Sequence, residues 1–225
     1  MLNERYLKNL IEKAPKIIAE IFRSYDGTAE PIDDNLCDDL LGISWKTKEK
    51  AINNKKLQDR FGIEQFLYEG TPYNYIRSFI SILKPSVDDI IYDLGAGYGR
   101  VCLYGSLTSR ASFKGIELVP ERVFTALQAK KKFHIDNVNF IQSNVLDHDY
   151  HDGNIFFLFN PFFRETLEKV GEKLKEIAKN KNIKIVTWGG SSNDFFEEQD
   201  WLKETNSLEV RRGSSIQFFE SNKIS

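Results

Sequence analysis

The spacing of apolar residues differs between the first part of the chain and the rest. Within residues 7–22 they are spaced three and four positions apart, which is typical of one face of a helix. Pro15 lies inside this stripe and predicts a kink or a break between two shorter helices. Residues 26–39 are acidic and rich in turn-forming residues, so we expect a loop there. The lysine-rich residues 46–60 predict a solvated helix face, with a surface for an acidic partner as the alternative.

After Pro72, short apolar runs alternate with amphipathic segments. The runs predict strands at 89–94, 112–118, 138–141, 154–160, 182–188, 208–211 and 215–219. The clearest amphipathic segment, 165–179, predicts a helix. Strands that alternate with helices form a parallel sheet covered on both faces. The last two runs are close enough in sequence to form a hairpin, which would add an antiparallel strand at the edge.

These patterns predict the fold class. We expect an α/β protein with a Rossmann-like, mostly parallel sheet of seven strands, an antiparallel edge hairpin and a helical N-terminal extension. The change from helical spacing to alternating apolar runs and amphipathic segments assigns residues 1–70 to the extension and residues 71–225 to the sheet domain.

Composition and charge narrow the classes of partner. The chain has 225 residues, of which 41% are hydrophobic, and its 31 basic groups nearly balance 33 acidic ones. This balance argues against nucleic acid, because affinity for its backbone comes mainly from neutralising phosphates. No apolar run approaches the roughly 20 residues of a membrane-spanning helix, so we expect no membrane partner. Cys37 and Cys102 lack the spacing of a metal site, so we expect no metal, and they fit a reducing, cytoplasmic location.

The strongest candidate for chemistry is the glycine-rich turn after the first predicted strand. Its sequence is DLGAGYG, from Asp93 to Gly99. Three glycines in five residues permit a sharp turn and let a ligand approach the main chain. In an open parallel sheet, the first strand-to-helix turn is where nucleotide-like ligands bind. The pattern therefore predicts a functional loop rather than an ordinary tight turn.

The spacing of the glycines decides which ligand fits. A dinucleotide site needs G-x-G-x-x-G, but here the third glycine comes one position early and Arg100 stands in its place. Asp93 at the mouth of the loop would repel a pyrophosphate, whereas it suits a cationic ligand such as an aminoacyl sulfonium. No G-K-[ST] follows, which excludes a P-loop.

The turn resembles motif I of the class I S-adenosylmethionine-dependent methyltransferases, in which an acidic residue precedes G-x-G-x-G. The resemblance covers residues 68–190. It implies a methyltransferase with S-adenosylmethionine as its cofactor, held at Asp93, Gly95 and Gly97. Glu117 ends the next predicted strand, where the family has an acidic residue that accepts the ribose hydroxyls.

Three further residues stand at positions where the family binds its cofactor. Asn144 replaces the usual aspartate but keeps a carbonyl acceptor for the adenine amino group, with Asp147 as the alternative. Val145, its neighbour, is included among the predicted cofactor contacts. Thr71 lies in a T-P turn that some relatives place over the methionine end, where its hydroxyl would bond the carboxylate.

The fourth strand of the sheet domain is predicted to end in FNPFF, where the family places its motif IV beside the transferable methyl group. This segment is similar to the [DN]-P-P-[YF] signature of methyltransferases that act on planar nitrogens, with Phe162 in place of the second proline. Asn160 would accept a hydrogen bond from an amine or amide and orient its nitrogen, and Phe163 would stabilise cationic charge. Both are predicted catalytic residues, and the alternative is that the phenylalanines are core.

Residues 68–163 are also similar to the histone-lysine methyltransferases that lack a SET domain. This similarity and the charge balance favour a nitrogen of a protein side chain or a small molecule as methyl acceptor. One alternative is a small-molecule oxygen, with the histidine-rich residues 147–152 as general base; the same residues would otherwise be a solvated loop. A non-catalytic partner subunit that binds S-adenosylmethionine is the alternative from a different class.

Overall fold

The computed structural model describes residues 20, 22, 32–62, 68–211 and 214–222. Its helices are α1 (Asp34–Leu41), α2 (Trp45–Ala51), α3 (Asn54–Phe61), α4 (Tyr73–Leu83), α5 (Arg100–Thr108), α6 (Pro120–Phe133), α7 (Arg164–Ala178) and α8 (Gly190–Glu197). Its strands are β1 (Ile90–Leu94), β2 (Ser112–Glu117), β3 (Val138–Gln142), β4 (Ile155–Phe159), β5 (Lys184–Trp188), β6 (Leu202–Arg211) and β7 (Ser214–Ser221).

The strands form one seven-stranded sheet in the order β3-β2-β1-β4-β5-β7-β6. Strands β1 to β5 pair in parallel, whereas β7 pairs antiparallel with both β5 and β6. The predicted α/β class and the mostly parallel sheet with an antiparallel edge hairpin are therefore confirmed. Strand β6 is longer than its apolar run indicated, because most of its residues are exposed at the sheet edge and carry polar side chains.

The direction in which the chain crosses the sheet reverses between β1 and β4. From β1 the chain moves outward through β2 to β3, and β4 then starts on the other side of β1 and leads to β5. In α/β sheets such a reversal opens a crevice outside the carboxyl ends of the strands, where ligands bind. The glycine-rich turn after β1 and the FNPFF segment after β4 flank this crevice.

Apolar layers cover both faces of the sheet. One layer includes Phe79 of α4 and Phe113 of β2, and the other includes Leu174 of α7. Cys37 and Leu41 of α1 are buried in the first layer, so the described part of the extension packs on the core of the sheet domain. The division of the chain at residue 70 remains a prediction. None of the described helices has the length and hydropathy required to cross a membrane.

The predicted loop at 26–39 was wrong for its second half, because α1 begins at Asp34. The carboxylate of Asp33 accepts the N–H groups of Asn35 and Leu36 at 2.9 and 3.1 Å and thereby caps the helix. Acidic residues at this position also suit the positive end of the helix dipole. Residues 26–31 of that segment, and the predicted N-terminal stripe apart from Phe22, lie outside the described residues.

Candidate active site

The glycine-rich turn has a backbone that residues with a Cβ rarely adopt. The φ angles of Gly95, Gly97 and Gly99 are +92°, +55° and +83°. A Cβ at Gly95 would lie 2.6 Å from the Cβ of Pro161, and a Cβ at Gly97 would lie 2.3 Å from the ring of Tyr68. Glycine is thus required here for two reasons: the backbone has positive φ angles, and neighbouring side chains lie too close to leave room for a Cβ. They bring the turn against the motif IV segment on one side and against Tyr68 on the other.

Asp93 lies at the floor of this turn, near the end of β1. Its side chain is 4% exposed, and the thiol of Cys102 donates to its carboxylate at a sulfur–oxygen distance of 3.9 Å. Burial first, and then the negative charge of Glu117, raise the pKa of Asp93 to about 8. A cationic ligand beside Asp93 would stabilise the ionised carboxylate, so the site fits a ligand that carries positive charge.

Glu117 comes from the end of β2 and reaches the same turn. Its two carboxylate oxygens accept the main-chain N–H groups of Gly97 and Val119, each at 2.8 Å. The guanidinium of Arg122 lies 3.7 Å from Oε1 of Glu117. A cofactor ribose at this position would meet an oriented and largely buried carboxylate.

The other predicted cofactor residues are partly engaged with neighbours. The side-chain carbonyl of Asn144 accepts the N–H of Leu146 at 2.9 Å, so an adenine amino group would share this oxygen. Val145 is 6% exposed and belongs to the core. Thr71 is also buried, and its main-chain carbonyl accepts a hydrogen bond from Arg100 at 3.2 Å.

The predicted catalytic residues lie at the open side of the crevice. Asn160 is exposed and has a φ of +39°, and a Cβ on Gly189 would lie 2.6 Å from the Asn160 Cβ. The turns after β4 and β5 are therefore in contact. Phe163 is 69% exposed, which argues against the alternative that it is a core residue. Phe159 behaves differently, because its ring stacks on Trp188 at 4.0 Å and packs against the core.

Aromatic residues that the motifs did not assign cover the glycine-rich turn. The ring of Tyr68 packs edge-on against Tyr98 at 4.9 Å and against Trp45 of α2 at 5.1 Å. On the other side of the crevice, Tyr75 packs edge-on against Trp188 at 4.8 Å. Tyr68 precedes the T-P turn in the sequence and Tyr98 belongs to the glycine-rich turn itself, whereas Trp45 reaches the site only through the packing of α2.

Two buried arginines connect the site with the extension, and neither was predicted. Arg100 donates from Nε and Nη2 to the carboxylate of Asp38 in α1, at 2.9 and 2.5 Å. Arg122 makes a similar bidentate contact with Glu49 of α2 at 2.9 and 3.0 Å. Each pair joins residues far apart in the sequence, so local patterns carried no signal for it.

The histidine-rich loop, 147–152, leads from the turn at Asn144 toward the amino end of β1. Asp152 accepts the hydroxyl of Tyr92 at 2.7 Å and pairs with Lys114, and Asn154 accepts the N–H of Ile90 at 2.8 Å. The last contact is at the amino end of β1, whereas the crevice is at the carboxyl ends. Within the described part of the chain, no three potential metal ligands cluster. The contacts of Asp152 are thus with Tyr92 and Lys114 rather than with the glycine-rich turn.

Comparisons with known proteins agree with the fold and the motifs. No family model matches the chain. A protein-lysine N-methyltransferase from Saccharolobus islandicus is 29% identical over 113 residues, which cover 45% of this chain and 68% of that protein.

Two solved structures illustrate the similarity in fold. An RNA methyltransferase from Salinibacter ruber in complex with S-adenosyl-L-homocysteine aligns with a TM-score of 0.55 at 20% identity, covering 70% of this chain and 96% of that one. A precorrin-6y C5,15-methyltransferase from Geobacter metallireducens aligns with a TM-score of 0.53 at 18% identity, covering 69% and 90%. The named activities of these relatives differ, so their likeness leaves the methyl acceptor of this chain open. The comparisons confirm the predicted class I methyltransferase fold, and they agree with the enzyme class and the cofactor that the motifs predict for this chain.

Proposed function

We propose that the protein methylates a nitrogen atom of a protein side chain, with lysine as the acceptor. The observation that carries this proposal is the contact between the two turns, since Pro161 lies against Gly95 and brings Asn160 beside the cofactor turn. The curated relative, a protein-lysine N-methyltransferase, supports the choice of lysine.

The described residues fit the cofactor. The glycine-rich turn exposes main chain to a ligand, Glu117 would accept the ribose hydroxyls, and Asp93 would face the cationic methionine end. Asn144 and Val145 would border the adenine, and Thr71 would bond the carboxylate of the methionine part. The cofactor supplies an activated methyl group on a sulfonium, so the residues of the chain have to align the acceptor and exclude water.

The acceptor side of the crevice is suited to a side chain that enters from outside. Asn160 is exposed, and its amide oxygen would accept an N–H of the incoming amine and direct the lone pair of that nitrogen toward the crevice. Phe163, also exposed, would lie beside the cationic charge. An opening of this kind is accessible to a residue of a folded protein, whereas a small-molecule site is normally enclosed.

The alternatives are less well supported by the contacts. Methylation of a small-molecule oxygen would use the histidine-rich loop as general base, but Asp152 of that loop is engaged with Tyr92 and Lys114. A lysine acceptor would enter as the neutral amine, after its ammonium proton has passed to solvent. Nucleic acid remains an outcome to be tested, because one structural neighbour is an RNA methyltransferase. A non-catalytic subunit would bind the cofactor and transfer no methyl group.

The test is transfer of label from S-adenosylmethionine with a radioactive methyl group to a cell extract that is then divided into protein, RNA and small-molecule fractions. We expect label in the protein fraction, recovered as methyl-lysine after hydrolysis, and its loss when lysines are first blocked by acetylation. Label that persists after acetylation contradicts lysine, and label in RNA or small molecules contradicts a protein acceptor. Cofactor binding without transfer to any fraction supports the non-catalytic alternative.

The catalytic role of Asn160 is tested with Asn160→Gly, because glycine accepts the φ of +39° and removes only the side chain. We expect kcat to fall by about ten- to a hundredfold at saturating cofactor, while cofactor affinity stays unchanged. Asn182→Ala, at an exposed position before β5, is the matched control. Equal losses in turnover and in cofactor affinity would make Asn160 a cofactor or structural residue.

A further inference from the structure

One buried arginine faces two carboxylates, one from the extension and one from the cofactor site. Arg122 lies in the first turn of α6 and is 4% exposed. Its Nε and Nη2 donate to the two carboxylate oxygens of Glu49 in α2, at 2.9 and 3.0 Å. Its Nη1 lies 3.7 Å from Oε1 of Glu117, beyond hydrogen-bond distance.

The two carboxylates are held in different ways. Glu49 makes the bidentate contact with Arg122 and also accepts the hydroxyl of Tyr98 at 2.8 Å. Bidentate arginine–carboxylate contacts are strong and fix the orientation of both groups. Glu117 instead accepts main-chain N–H groups, including that of Gly97 in the cofactor turn. Glu117 therefore faces the cofactor turn although a buried cation lies nearby.

We infer that Glu49 is a positioning residue for the cofactor: by holding Arg122, it keeps Glu117 available to the ribose. Without a carboxylate at position 49, the buried guanidinium loses its bidentate contact, and breaking a buried ion pair is strongly unfavourable. Glu117 is already close, so a shift of about 1 Å would bring Arg122 into hydrogen-bond distance of it. Arg122 would then compete with the ribose hydroxyls for the same carboxylate.

The inference gives the extension a role in cofactor affinity. It rests on the proposed contact between Glu117 and the ribose, and calorimetry with two ligands separates the two assignments. The ligands are S-adenosylhomocysteine and its 2′-deoxyribose analogue. We expect the wild-type protein to prefer the natural ligand about tenfold, because a hydrogen bond to a charged carboxylate is lost in the analogue.

In Glu49→Gln we expect affinity for S-adenosylhomocysteine to fall about tenfold and affinity for the analogue to change little, so that the preference disappears. The double variant Glu49→Gln with Arg122→Gln removes the competing cation and should restore most of the preference. Lys50→Gln, at an exposed position of the same helix, is the control and should behave as wild type. If Glu49→Gln does not fold, Arg122→Gln alone tests the same point, because it should keep the preference.

The outcomes separate the alternatives. Equal losses for both ligands in Glu49→Gln would indicate a merely structural role and overturn the inference. The same holds if the double variant does not recover the preference, or if Arg122→Gln alone abolishes it. A wild-type protein that binds both ligands equally would instead overturn the ribose assignment of Glu117, and with it the inference.

Discussion

Replacement of Asp93 by asparagine should stabilise the protein and weaken cofactor binding. Asp93 is 4% exposed, and burial followed by the charge of Glu117 raises its pKa to about 8. Its described hydrogen-bond donor is the weakly polar thiol of Cys102. Asparagine has nearly the same shape but no charge, so Asp93→Asn isolates the effect of the carboxylate.

The size of the effect follows from proton linkage. The pKa of Asp93 is raised on folding from the ordinary aspartate value of about 3.9, so the folded protein retains a proton that the unfolded chain releases. Between pH 4 and 8 this lowers the free energy of unfolding by up to about 1.4 kcal/mol per pH unit, which gives a ceiling of about 4 kcal/mol at pH 7. The buried asparagine amide offsets part of that gain, because an unpaired donor costs about 1–3 kcal/mol. We therefore expect Asp93→Asn to be about 1–3 kcal/mol more stable than wild type at pH 7–8, with the advantage disappearing toward pH 5.

Through Asp93, the stability of the wild-type protein should fall as pH rises, whereas its affinity for the cofactor should increase. A cationic ligand favours ionised Asp93, so wild-type affinity should rise as pH increases toward 8, by at most tenfold per unit. Asp93→Asn should bind the cofactor more weakly, and its affinity should lack the increase with pH that comes from ionisation of Asp93. The amino group of the free ligand titrates equally in both experiments, so the difference between the two profiles reports on the interaction of the ligand with Asp93.

Urea unfolding and calorimetric titration across pH 5–9 supply the two measurements. Asp88→Asn, in the exposed turn before β1, controls for the loss of a negative charge. A variant that is less stable than wild type at pH 8, or whose stability difference from wild type does not grow with pH, would refute the reasoning.

Two further substitutions test the turn and its attachment to the extension. Gly97→Ala should lose about 1–3 kcal/mol of unfolding free energy and more than tenfold in cofactor affinity, because φ is +55° and the new Cβ would lie 2.3 Å from the ring of Tyr68. Unchanged calorimetric affinity would contradict the placement of the cofactor. Arg100→Met should lose about 3–5 kcal/mol in urea unfolding, because it leaves the buried carboxylate of Asp38 without this cationic partner. Adding Asp38→Asn should recover part of that loss, and a double variant less stable than the single one would contradict this explanation.

The sequence predicted those features that depend on neighbours in the chain. The apolar runs gave the parallel strands, and the spacing of Gly95, Gly97 and Gly99 gave the turn, whose positive φ angles exclude most other residues. Glu117 at the end of β2 was also singled out from the sequence, because the family that the turn resembles has an acidic residue there. The capped start of α1 was missed, because the turn-forming residues that cap a helix also occur in loops.

The contacts that local patterns did not predict join residues distant in the sequence. Tyr68 covers Gly97, and Trp188 stacks on Phe159, through packing between separate elements. The lysine-rich helix α2 was predicted to be solvated, and its lysine-rich composition gave no sign that Glu49 would pair with Arg122. A pattern of charges along a helix does not show which single side chain faces inward.

The two buried arginines form ion pairs across the predicted domain boundary at residue 70. Arg100 follows the glycine-rich turn, and Arg122 follows the predicted ribose residue, so both lie in the first turns of helices that start at the predicted cofactor site. Their carboxylate partners, Asp38 and Glu49, both come from the extension. A cation at the amino end of a helix opposes the helix dipole, and a nearby carboxylate offsets this. The motifs lie in the part of the chain predicted to be the sheet domain, but the carboxylates that balance Arg100 and Arg122 come from residues before the predicted boundary.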